Sequence, residues 1–147
     1  MGYRLERSLP VLAVAFALAA LVSGCGGSSG LGSADTTLVS VREQDFSIDV
    51  SPRTIPAGKV VFQAANRGPD AHELIVVRAQ AQALPLRSDG MTVNEEELRR
   101  ATVGALEPGA AGSVRDLEVR LSPGRYVLLC NMAGHYMGGM HAVLTVR

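Results

Sequence analysis

The chain has 147 residues, enough for one compact domain of ordinary size. Its 14 Lys plus Arg balance 14 Asp plus Glu, and aromatic residues make up only 4% of the chain. With no long basic run either, a nucleic-acid surface and an electrostatic funnel for acidic substrates are both excluded.

Arg4 and Arg7 precede an apolar run, Leu9 to Val22, that is followed by small residues, the layout of a signal peptide over residues 1–24. The run is shorter than the roughly 18 to 20 residues a spanning helix needs, and Pro10 sits at its entrance. It ends in "LVSGC", which resembles a bacterial lipobox: an aliphatic residue, two small ones, then Cys25. That resemblance implies a lipid on Cys25, a membrane anchor and an extracytoplasmic location. Residues 25–36, rich in Gly and Ser with almost nothing to bury, read as a flexible tether.

From Thr37 to the C-terminus the pattern is strand-like. "TLVSVREQDFSIDV" mixes β-branched and polar residues in local alternation, and turn-forming Pro and Gly clusters flank "VVFQA". "HELIVVR" from His72 is a β-branched run, and "GSVRDLEVRL", "GRYVLLC" and "HAVLTVR" supply three more strand candidates. Six or more short strands with turns between them predict an all-β fold, an antiparallel sandwich. The exception lies between Ala79 and Gly112, where Asn94 with Glu97 three residues on forms a capping-box signal. It predicts a short helix over Glu95 to Ala101, an insertion among the strands. Its acids precede its bases, which suits the helix dipole and a solvated face.

Only two cysteines are present, and if Cys25 carries lipid then Cys130 is left without a partner. Outside the cytoplasm an unpaired thiol is oxidised unless it is buried or coordinated. Around it lie His135, Met137, Met140 and His141, with His72 the remaining histidine of the chain. Thiolate, imidazole and thioether form a soft donor set that favours copper over magnesium or calcium. Two histidines, one cysteine and a weak axial methionine describe a trigonal blue-copper site. For residues 130, 135 and 140 to converge, the loop "NMAGHYMGGM" must curl, and Gly134, Gly138 and Gly139 permit that. His72 has to arrive from a separate strand, just after "NRGPDA".

Taken together, "CNMAGHYMGGM", the preceding "GRYVLLC" and the upstream "NRGPDAHELIVV" resemble the small blue copper proteins, the cupredoxins of the plastocyanin and azurin superfamily. The loop spacing is similar to auracyanin- and sulfocyanin-like members, and the resemblance covers roughly residues 37–147. It implies a Greek-key β-sandwich holding one type 1 copper. His72, Cys130 and His135 would be the equatorial ligands and Met140 the axial one. It further implies one-electron transfer with redox-protein partners, and a His135 edge near the surface amid Met132, Ala133 and Met137. Met132 and Met137 are off the axial spacing, and His141 is expected to face away. Alternation sets Glu73 on the opposite face from His72.

The expected protein is thus a monomeric, membrane-tethered electron carrier and not an enzyme; three histidines cannot supply a trinuclear copper cluster. The alternative is a protein that stores or delivers copper. No G-x-S-x-G elbow, phosphate loop or CxxC pair competes.

Overall fold

Alternation of apolar and polar residues governs the first strand of the computed structural model, which describes residues 36–79 and 83–147. In β1 (Thr37–Gln44) Val39, Val41 and Glu43 point inward while Leu38, Ser40 and Arg42 face out, the period-2 pattern of a half-buried strand. A two-residue turn, Asp45 and Phe46, returns the chain as β2 (Ser47–Ser51) in an antiparallel hairpin. The short β3 (Thr54–Ile55) then crosses to the second sheet before β4 (Gly58–Asn66) comes back beside β1.

That excursion makes β1 and β4 parallel, and β3 also pairs in parallel, with the last strand, β9 (His141–Val146). The expected sandwich is therefore present, but both sheets are mixed rather than wholly antiparallel. Nothing local marks such a pairing, because parallel direction is decided by where the connecting chain goes. The first sheet has the order β2-β1-β4-β7, with β7 spanning Val114–Leu121. The second runs β3-β9-β8-β5-β6, with β5 at His72–Arg78, β6 at Thr102–Gly109 and β8 at Gly124–Leu129.

Between the sheets lies the main core, including Val41, Phe62, Leu74, Val76, Leu128 and Leu144, together with Cys130 and Met140. A second cluster forms on the outer face of the second sheet. Ile75, Val77, Val127 and Leu129 pack there under Leu84, Val93 and Tyr136. This covering explains why "HELIVVR" reads as a continuous apolar run, for β5 is buried on both faces.

The segment that covers it contains α1 (Glu95–Leu98), shorter than expected from the sequence. Asn94 caps it as expected, its side chain accepting from the Glu97 N–H at 3.5 Å. The helix stops early because the chain must enter β6: the Ala101 carbonyl already accepts from the Arg78 N–H at 2.8 Å. β6 itself lies within the stretch read as an insertion, and Gly104 and Pro108 concealed it. A Cβ at Gly104 would come within 2.8 Å of Val119, so the glycine marks a close approach of the two sheets.

Candidate metal centre

One end of the sandwich gathers the predicted ligands. The last residue of β8 leads directly into Cys130, the loop 130–140 follows, and His72 opens β5 alongside. One donor atom each from His72, Cys130 and His135 lies within 4.8 Å of the others, with Cys130 Sγ 3.5 Å from His135 Nδ1. His72, Cys130 and Met140 are fully buried, while His135 is half-buried.

Backbone hydrogen bonds shape the loop. The Cys130 N–H donates to the Met140 carbonyl at 3.1 Å, and the Met140 N–H donates to the His135 carbonyl at 2.9 Å. Gly134 and Gly139 have φ of 81° and 107°, conformations open to glycine at little cost. Gly138 serves otherwise: a Cβ there would sit 2.3 Å from the Phe46 ring.

His72 is delivered by a loop tied to Asn66, a fully buried side chain. The Asn66 amide donates to the carbonyls of Asp70 and Gly109 at 2.7 and 2.9 Å, and its oxygen accepts from the Gly68 N–H at 2.9 Å. Behind His72, Nε2 lies 3.0 Å from Asp45 Oδ1. An ionised carboxylate only accepts, so Nε2 carries the proton and Nδ1 bears the lone pair. Nδ1 is buried with no hydrogen-bond partner. An orphaned buried acceptor in a cluster of soft donors is what a metal would satisfy.

Electrostatics agree. Burial holds His72 below the usual imidazole range, with His135 adding to the effect and the Asp45 hydrogen bond opposing it; a neutral imidazole is the metal-binding form. Burial pushes the Cys130 thiol up, against hydrogen bonds from the Met132 and Glu73 backbone. A metal entering here therefore displaces the thiol proton.

The other residues singled out in the sequence are placed as follows. Glu73 is turned to the Asn131 N–H, which donates to its Oε1 at 2.9 Å. His141 is exposed and its ring lies tilted against Tyr136, ring centroids 4.9 Å apart. Met137 is exposed and Met132 packs against the main core. Cys25 lies outside the described residues. Sequence reasoning missed Asp45 and Phe46, since "DF" lacks the usual glycine signature of a hairpin turn. It also missed Asn131, whose side chain accepts from the Val93 N–H at 2.5 Å and ties the site to the covering segment.

No protein-family model and no curated protein sequence matches this chain. Solved structures do. Reduced auracyanin from the photosynthetic bacterium Roseiflexus castenholzii superposes with a TM-score of 0.58 at 22% identity, covering 78% of this chain and 98% of that one. Auracyanin A, a "blue" copper protein from the green thermophilic photosynthetic bacterium Chloroflexus aurantiacus, gives 0.57 at 14%, covering 77% and 100%. Rusticyanin from Thiobacillus ferrooxidans gives 0.57 at 16%, covering 76% and 77%. At these identities the likeness establishes the fold.

Proposed function

We propose that this chain, which has the cupredoxin fold, is a type 1 copper protein that carries single electrons between redox partners. The observation that carries the reading is the convergence of His72, Cys130 and His135, with His72 Nδ1 buried and unpartnered. The donor set fits one copper ion: His72, Cys130 and His135 would hold it, with the fully buried Met140 thioether as a fourth, weaker donor. Bound copper supplies one-electron exchange between Cu(II) and Cu(I).

The chain's own residues do the rest. The Cys130 and Met140 backbones are joined at the loop neck, which holds the two ends of the loop together before any metal arrives. Burial excludes water from His72 and Cys130 and leaves His135 as the ligand nearest the surface. Phe46, 56% exposed, meets the His135 ring, and with Met137, 55% exposed and two residues along the loop, it would supply an apolar contact suited to brief encounters with redox proteins.

Storage or delivery of copper calls for an open, exchangeable site, and the burial of His72, Cys130 and Met140 favours retention. We further propose that Cys25 carries a lipid and anchors the domain to a bacterial cell membrane on its extracytoplasmic side, a reading that rests on the lipobox-like "LVSGC".

The test is the visible and EPR spectrum of the full-length protein in detergent with Cu(II), compared with Cys130→Ser. An intense blue thiolate-to-copper band, absent from the variant, is expected. A colourless wild type with a freely titratable Cys130 would overturn the reading.

A further inference from the structure

The β1–β2 turn touches both histidines of the centre with adjacent residues. Asp45 Oδ1 is 3.0 Å from His72 Nε2, and the Phe46 ring meets the His135 ring edge-on, centroids 5.5 Å apart. Phe46 adopts φ of 61°, uncommon for a bulky residue and retained only where surroundings hold it. Two glycines make the room. A Cβ at Gly68 would lie 2.4 Å from Asp45 Oδ1 and 2.9 Å from His72 Nε2, and one at Gly138 would strike the Phe46 ring.

We infer that Asp45 is a positioning residue for the metal, and that its carboxylate sets the preference of the site for copper(II) over copper(I). The inference rests on the copper reading above. By accepting a hydrogen bond from Nε2–H, Asp45 fixes the His72 tautomer, leaves Nδ1 as the metal-donor atom and raises its basicity. Its negative charge, one imidazole away, favours the doubly charged ion over the singly charged one. Asp45 is mostly shielded, its side chain 26% exposed, so water screens that charge only in part. The carboxylate therefore lowers the reduction potential that the four ligands would otherwise have.

Asp45→Asn keeps an oxygen acceptor and removes the charge. The full-length protein in detergent is loaded with copper, and its potential is measured by redox titration of the blue band. The expected result is a retained blue spectrum with a preference for Cu(II) over Cu(I) reduced about tenfold or more, a rise of about 59 mV for a one-electron couple. A change under about twofold, well below that 59 mV step, overturns the inference while leaving the copper reading intact. A wild type with no blue copper overturns both.

Two further measurements guard against a misfolded variant. Asp45→Glu keeps both the negative charge and an oxygen acceptor for His72 Nε2–H; its potential is expected to stay nearer the wild type than that of Asp45→Asn, and a rise equal to that of Asp45→Asn overturns the inference. In the copper-free wild type, long-range 1H–15N spectra of the three histidines should show His72 protonated at Nε2. An Nδ1-protonated His72 would overturn the assignment without reference to copper.

Discussion

Cys130 and Met140, the first and last residues of the loop 130–140, are joined by a backbone hydrogen bond of 3.1 Å from the Cys130 N–H to the Met140 carbonyl. The neck of the loop is therefore closed by the protein itself. Gly139, beside that neck, has φ of 107°, and a Cβ on it would lie 3.2 Å from the Phe46 carbonyl. Gly139→Ala is expected to cost about 1–3 kcal/mol and to weaken copper binding, read from urea midpoints of the copper-free protein and from chelator competition. An unchanged midpoint would mean the loop relaxes freely.

Met140 combines core packing with the proposed axial role, and two substitutions separate these. Met140→Leu conserves volume, so stability should fall by less than about 1.5 kcal/mol, while the blue spectrum persists and the reduction potential changes. Met140→Ala leaves a cavity in the core and should cost about 2–5 kcal/mol. If Met140→Leu left the potential untouched, Met140 would be a packing residue alone.

Asn66 holds the loop that presents His72 by bonding Gly68, Asp70 and Gly109 at once. Asn66→Ala strands the buried Gly68 N–H and Gly109 carbonyl, and an expected loss of about 2–4 kcal/mol follows from these two unsatisfied groups. Copper affinity should fall with it. Thermal unfolding with and without copper checks both.

Glu43 is fully buried on β1, paired to Arg115 Nη2 at 2.6 Å, with Oε1 unpartnered. Burial outweighs the Arg115 ion pair and lifts its pKa from 4.5 to about 7. The folded state thus binds more protons than the unfolded chain between those values, so stability falls as pH rises from about 4.5 to about 7. The full effect is about 3 kcal/mol. Glu73 is shifted in the same sense, also by burial, so the measurement is the difference between wild type and Glu43→Gln in the copper-free protein. Glu43→Gln should flatten the slope; an equal slope in both would place the titration elsewhere.

The lipid reading is tested on the whole chain. Cys25→Ala should move the protein from the membrane fraction to the soluble fraction, and intact-mass analysis of the wild type should find an acylated N-terminal cysteine. A wild type whose mature N-terminus lies elsewhere would refute it.

Much of this centre is legible along the chain. The thiol, His135 and Met140 fall within one loop, and the glycines between them announce a backbone that turns sharply. Such features are local, because a loop's reach and its glycines are properties of consecutive residues. The strands likewise show in their alternation, as in Val39, Val41 and Glu43, although β6 was hidden by Gly104 and Pro108.

Asp45 and Phe46 belong to a different category. Nothing in "EQDFSI" points to His72 or His135, since contacts between residues so far apart in the chain exist only once the sheets have packed. The parallel pairing of β1 with β4 has the same origin, for it follows from β3 crossing to the other sheet. The burial of Glu43 against Arg115 does too: alternation turns the carboxylate inward, but a partner from β7 and the dry surroundings come only with the assembled sandwich. Residue types and short-range spacing carry the donor set; long-range packing determines how those donors are oriented, shielded and charged.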